Sequence, residues 1–185
     1  HPTIENMKKA VKEIFGNEKL VAERYVSSKD KDMLIDIIGR VDYESNTKIG
    51  EAKTKPPTIK KKRGKDEYYM ASTQLPNDPD PMHISQVSFY YHCTKKKPFL
   101  FYVNENEYRI FDDTHDMLRS DYLEHQYNLL TQRLKSWEEL IIFCKGDIQK
   151  LSSFAEPPEL NHPFYYRDLI DDKKKQIKQL WGLDT

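Results

Sequence analysis

Asp42, Glu51 and Lys53 are the residues of this chain whose types and separation suit cleavage of a phosphate ester. Asp42 closes the run Gly39-Arg40-Val41-Asp42, and Glu51 opens Glu51-Ala52-Lys53 after a polar segment. Met33 to Tyr43 is apolar and β-branched and reads as a period-two strand. Ile35, Ile37 and Val41 fall on one of its faces, and Leu34, Ile38 and Asp42 on the other. Ile49 to Thr54 reads as a second strand, and Glu44-Ser45-Asn46-Thr47-Lys48 as the turn between them. A hairpin symmetric about Asn46-Thr47 sets Asp42 opposite Glu51. Facing side chains have Cβ atoms roughly 4.5–5.5 Å apart, where two like charges destabilise the sheet unless something compensates them. A divalent cation is such a compensation. Lys53 lies two residues beyond Glu51 and so shares its face. Oxygen-only donors favour Mg²⁺ or Mn²⁺ over zinc. A cation held there polarises a phosphate and acidifies a bound water, while Lys53 positions the nucleophile or neutralises the phosphate. An ordinary solvated charged hairpin is the plainer alternative for these residues alone.

Beyond the proline-rich segment Pro76 to Pro81, His83 to Tyr91 reads as a helix, with Gln86 and Tyr90 one turn apart on a shared face. The order Gly-Arg-Val-Asp, Glu-Ala-Lys and Gln-x-x-x-Tyr resembles the RecB-type branch of the PD-(D/E)XK nuclease superfamily, which includes bacterial recombination nucleases, phage exonucleases and the mitochondrial genome maintenance exonuclease. The likeness spans about residues 23–140. It implies a restriction-endonuclease-like core, with Asp42 and Glu51 as metal ligands, the main-chain carbonyl of Ala52 as a further ligand, and Lys53 as the catalytic lysine. It also implies that Gln86 and Tyr90 hold DNA near the scissile phosphate. The family tends to place a His or Glu upstream of the first strand, and no motif singles one out among His1, Glu5, Glu13 and Glu23. Glu23 remains a further candidate ligand.

At 185 residues the chain suits one domain, divided as an N-terminal helix (1–18), a core (19–145) and a helical extension (146–185). Formal charge is zero and mean hydropathy is −0.85, so bulk composition points to no partner. The distribution does. Lys53 to Lys65 holds seven basic residues and no acid, and Lys55, Lys60, Lys61, Lys62, Arg63 and Lys65 are candidate phosphate contacts. A solvated basic loop is the alternative. Tyr68, Tyr69, Tyr90 and Tyr91 are candidates for stacking on unpaired bases, positions that suit a core equally. The two cysteines, Cys93 and Cys144, are too few for an Fe–S cluster and suit a reducing compartment. His92, Cys93 and His115 match no zinc spacing. No apolar run approaches the 18 residues of a membrane span. The expected location is the cytoplasm of a bacterium or phage-infected host, or the mitochondrial matrix or nucleus of a eukaryote. A start at His-Pro-Thr, without an initiator Met, fits a fragment lacking an N-terminal region.

The coarse order is a helix over Thr3 to Phe15, a strand over Leu20 to Ser27, the two acidic strands, and a long connection from Lys55 to Met82 read as a mobile or DNA-shaped loop. The Gln86 helix follows, then strands at Phe99 to Asn104 and Glu107 to Phe111. A long helix carries the stripe Leu118, Tyr122, Leu129, Leu130, Leu134, Trp137, Leu140 and Ile141. Gly146 and Pro157-Pro158 punctuate the remainder before a lysine-rich helix over Asp168 to Leu180. The expected architecture is α/β, a mixed central sheet of about five strands flanked by helices. The expected function is a Mg²⁺- or Mn²⁺-dependent deoxyribonuclease, an exonuclease acting on single strands or duplex ends. A structure- or sequence-specific endonuclease on the same core and a non-catalytic nucleic-acid-binding module are the alternatives.

Overall fold

The acidic hairpin is built as expected in its register but not in its pleat. A computed structural model describes residues 1–154 and 170–181; Pro157, Pro158 and Asp168 lie outside the described residues. The chain divides into two units, His1–Gln132 and Arg133–Thr185. The first begins with α1 (Pro2–Phe15), β1 (Val21–Ser28), β2 (Ile37–Glu44) and β3 (Lys48–Thr54). It continues with β4 (Thr58–Lys61), β5 (Tyr68–Ala71), α2 (Pro81–Thr94), β6 (Lys97–Val103) and β7 (Tyr108–Phe111). A 3-10 turn at Asp116–Leu118 then leads into α3 (Ser120–Phe143). The main sheet has the order β1-β2-β3-β6-β7, with β3 and β6 parallel and the other neighbours antiparallel. This is the mixed five-stranded α/β architecture, flanked by helices.

Parallel neighbours require a crossover, and α2 supplies it. Pro81 suits the first turn of this helix, where no backbone N–H is missed, and the Asp80 carboxylate accepts the Met82 N–H as its cap. Lys95, in the left-handed region at φ 54°, ends it. On one side of the sheet α2 meets Leu100 and Tyr102 of β6 through Ile84 and Val87, and Val41 and Ile49 through Phe89 and Tyr90. On the other side α1 packs Ala10, Ile14 and Phe15 against Phe99, Phe101 and Val103. β6 is thus covered on both faces, which is why Pro98 to Val103 is an unbroken apolar run rather than an alternating one.

The turn Ser45–Thr47 closes on the Ser45 hydroxyl, which accepts the Thr47 and Lys48 N–H groups. The β2–β3 ladder pairs Tyr43 with Gly50 and Glu44 with Ile49, in the expected register. The expected alternation fails one residue further on. Val41 packs with Phe89 and Tyr90 on the α2 side, yet Tyr43 packs with Phe15 and Phe101 on the α1 side. Residues two apart lie on opposite faces, so the period slips at Asp42. On β1 the register Ala22–Tyr43 and Arg24–Val41 leaves Glu23 opposite Asp42, and Glu23 takes a φ of 59°. The irregularity therefore runs across both strands.

Three further expectations are corrected. β2 begins at Ile37, so Leu34 and Ile35 precede it and are exposed. The Lys55 to Met82 connection contains a two-stranded antiparallel hairpin, β4–β5, in place of an irregular loop. The stripe is right in part: Leu118 is buried and Tyr122 and Leu130 pack against the core, but Leu123, Tyr127 and Thr131, four residues apart, form the buried line of α3, while Leu129, Trp137 and Ile141 are exposed. Tyr127 sets this phase, with its ring stacked on His92 at 3.6 Å and its hydroxyl bonded to Ser28.

The second unit comprises the remainder of α3, then α4 (Ile148–Ser152) and α5 (Asp171–Leu180). Asp147 caps α4 by accepting the Gln149 and Lys150 N–H groups, and the Phe143 and Phe154 rings meet edge to face. Among the described residues no helix is long and apolar enough to cross a membrane.

Gly39 is the contact point between β2 and α2. A Cβ there would lie 2.6 Å from the Phe89 ring and 2.8 Å from the Tyr90 ring, both buried. We expect Gly39→Ala to destabilise the fold by roughly 1–3 kcal/mol through overpacking. Urea unfolding measures this, and a midpoint indistinguishable from wild type refutes the close-approach account.

Candidate active site

Beyond Tyr43 the β2–β3 ladder stops, and the Asp42 side chain takes over from the backbone. Its Oδ2 accepts the Ala52 N–H at 2.9 Å, satisfying an amide donor where the strands have parted. This bond brings the Asp42 carboxylate across to β3, beside Glu51. The slip in β2 is what allows it.

Glu51 is 3% exposed. Its Oε1 accepts from Lys53 Nζ at 2.5 Å, and its Oε2 is buried without a hydrogen-bond partner. Burial pushes the carboxyl up to about 7; the Lys53 ammonium pulls it down and the neighbouring Asp42 charge raises it further. Lys53 Nζ also donates to Gln86 Oε1 at 2.8 Å. Gln86 Nε2 donates to Tyr90 Oη at 2.7 Å, and that hydroxyl donates to the Arg40 carbonyl at 2.8 Å. One hydrogen-bonded chain therefore runs from Glu51 through Lys53, Gln86 and Tyr90 back to β2. Asp42, Glu51, Lys53, Gln86 and Tyr90 are brought together.

Other candidates are placed elsewhere. The Glu23 carboxylate pairs with Arg40 Nε at 2.5 Å, and no group of three or more His, Cys, Asp or Glu side chains converges among the described residues, so Glu23 does not join the two acids. Ala52 contributes its amide to Asp42. Lys55 donates its backbone N–H to Val103 and lies 5.9 Å from the Tyr102 ring centre. Lys60, Lys61, Lys62, Arg63 and Lys65 stand on the β4–β5 hairpin and its tip. Lys61 and Lys62 are paired there with Asp66 and Glu67 at 2.7 and 2.8 Å. Tyr90 is in the core, and Tyr91 is partly buried against it.

His83 was not singled out by the sequence. It sits one turn before Gln86 on α2, with Nδ1 hydrogen-bonded to Tyr102 Oη at 2.8 Å. Burial lowers its pKa, and the Lys53 charge adds to the effect while the Asp80 carboxylate opposes it. Its three-residue spacing from Gln86 was the available signal. Glu44 was also missed. It is buried with ion pairs to Arg24 and Lys96, and Lys96 donates to the Ser45 carbonyl at 2.6 Å, fastening the acidic turn to the start of β6.

Oxygen donors of this kind suit a hard cation, and the unpartnered Glu51 Oε2 is the group such an ion would satisfy. The chain is similar to the crystal structure of SSO0001 at 16% identity with a TM-score of 0.36, over 67% of this chain and 55% of that one. It thus spans little more than half the length of that structure. No family model and no curated protein matches the chain.

The Glu51 carboxyl gives the fold a pH dependence whose sign is fixed. Between its ordinary value of 4.5 and about 7 the folded chain holds a proton that the unfolded chain has released. Stability falls across that window as pH rises, by up to about 3 kcal/mol at roughly 1.4 kcal/mol per unit. In EDTA, Glu51→Gln is expected to be more stable than wild type at pH 8 and nearly equal at pH 4.5, by chemical denaturation. A gap that widens toward low pH contradicts the assignment.

Proposed function

We propose that the chain is a Mg²⁺- or Mn²⁺-dependent deoxyribonuclease of the RecB-type PD-(D/E)XK kind, with a restriction-endonuclease-like core, acting as an exonuclease on single strands or duplex ends. The observation that carries this is the pairing of Asp42 with a buried Glu51 whose Oε2 has no protein partner, with Lys53 bonded to the same carboxylate. A binding module gains nothing from holding two acids together at the cost of desolvating one of them. A site for a divalent cation does.

Asp42 and Glu51, with the Ala52 carbonyl, would hold the ion. When bound, it supplies Lewis-acid polarisation of a phosphate and a lowered pKa for water. The remaining work falls to the chain. Lys53 carries three donors and no acceptor, so the two it directs to Glu51 and Gln86 leave one to orient a water or a phosphate oxygen. The Gln86 amide and Tyr90 hydroxyl, fixed to each other and to β2, set the direction of Lys53, and the second Gln86 amide hydrogen is left to meet a sugar-phosphate strand.

End-labelled single-stranded and duplex DNA incubated with Mg²⁺, Mn²⁺ or EDTA tests this reading. The expectation is cleavage with either metal and none in EDTA, with linear DNA degraded and a covalently closed circle spared. Cutting of the closed circle would make the protein an endonuclease. We expect Lys53→Ala to lower the cleavage rate by about 10²–10³-fold while leaving DNA binding intact, and Asp42→Ala to abolish cleavage. No metal-dependent cleavage by the wild type overturns the proposal.

A further inference from the structure

The β4–β5 hairpin follows the end of β3, starting five residues beyond Lys53, and lies outside the main sheet. Its base is pinned. Thr73 Oγ1 donates to the Pro56 carbonyl at 2.8 Å, Asn104 Nδ2 to the Thr73 carbonyl at 2.9 Å, and Asn106 Nδ2 to Ser72 Oγ at 3.0 Å. Above that base both faces are open. Ile59 is 70% exposed, Tyr68 64%, Met70 62% and Tyr69 46%. A two-stranded ribbon is at best marginally stable alone and cannot bury its own side chains, so rings and aliphatics on both faces indicate an external partner.

The register identifies the chemistry of that partner. Lys60 is paired with Tyr69 and Lys61 with Tyr68. Successive residues point to opposite faces, so each face presents one ammonium beside one phenol ring, and Lys61 Nζ lies 5.8 Å from the Tyr68 ring centre. The hairpin and its tip carry five cations against two carboxylates. Asp66 and Glu67 neutralise Lys61 and Lys62, and among the described residues Lys60, Arg63 and Lys65 have no ion-pair partner. Exposed rings interleaved with unpaired cations match a polyanion with accessible π-faces. Duplex DNA conceals its base faces and a protein or lipid surface lacks the stack, so unpaired nucleic acid is the fit. The reach is short: Lys53 and Lys60 are seven residues apart, at most ~25 Å of chain.

We infer that the β4–β5 hairpin is a clamp for single-stranded nucleic acid, with Tyr68 and Tyr69 stacking on bases and Lys60, Arg63 and Lys65 contacting phosphates. The inference rests on the nuclease reading only for the direction in which the strand is passed, toward Lys53. Binding itself requires neither metal nor the acid pair.

The test is fluorescence anisotropy of labelled oligo-dT and of a blunt hairpin duplex, with the full chain in EDTA across a salt series. The wild type is expected to prefer oligo-dT. Tyr68→Ala/Tyr69→Ala should weaken that binding on the order of 10-fold or more with an unchanged salt slope, and Tyr68→Phe/Tyr69→Phe should retain it. Lys60→Ala/Arg63→Ala/Lys65→Ala should weaken binding and reduce the slope of log K against log salt by about 2. These side chains are exposed, and unchanged thermal unfolding confirms that the variants fold. Absence of oligo-dT binding by the wild type, equal tyrosine dependence on duplex, or no effect of the Tyr→Ala pair overturns the clamp. Tyrosine-dependent binding without any Mg²⁺-stimulated cleavage would instead sink the nuclease reading and leave the clamp standing.

Discussion

The structure around the candidate site depends on one electrostatic constraint: a carboxylate on β3 is taken out of water next to a second carboxylate on β2. Burial and like charge both oppose ionisation of Glu51, and a single ammonium answers them. Lys53 is therefore held in place from several directions. It is bonded to the acid, to Gln86, and through Tyr90 to the backbone of the strand that carries the other acid. A site under this strain needs rigid walls, and two helices packed on opposite faces of the sheet provide them.

The rigidity is purchased by irregularity at one point. Where Asp42 abandons the pleat it replaces a ladder bond with a side-chain bond to Ala52, and its neighbour across the other ladder, Glu23, adopts a backbone angle uncommon for a residue with a Cβ. Gly39 lies three residues upstream and lets α2 approach the sheet closely enough for Tyr90 to reach the Arg40 carbonyl. Strand distortion and helix contact act together, one aiming Asp42 and the other aiming Gln86.

Much of this was legible in the sequence. The symmetric polar turn set the register, because Asn46-Thr47 allows one natural centre and the ladder followed it. The four-residue spacing of Gln86 and Tyr90 placed both on one helical face, where they meet. The slip at Asp42 was not legible, since a period-two pattern assumes an unbroken pleat and nothing local in the sequence marks the point where β2 departs from it to let Asp42 reach the Ala52 amide. The basic connection concealed a hairpin because its short strands carry Lys and Tyr on both faces, so no apolar alternation marks them. The phase of α3 escaped for a related reason: Thr131 is buried while Leu129 is exposed, which hydrophobicity alone ranks the other way. His83 gave only spacing as a signal and acquired its place through Tyr102, a residue distant in sequence.

The pinned base of the β4–β5 hairpin has an evolutionary corollary. Thr73 joins the two ends of the hairpin segment to each other, and Asn104 and Asn106 fasten its outgoing end beside β6, independently of what lies between them. Insertions, deletions or wholesale replacement of residues between those anchors leave the carboxylates, the lysine and α2 where they are, because exposed loop tips absorb such changes without disturbing buried backbone. Inside α2, by contrast, a one-residue insertion between Gln86 and Tyr90 rotates one away from the other by about 100°. The segment between the anchors is thus free to change far faster than the residues that arrange the two acids.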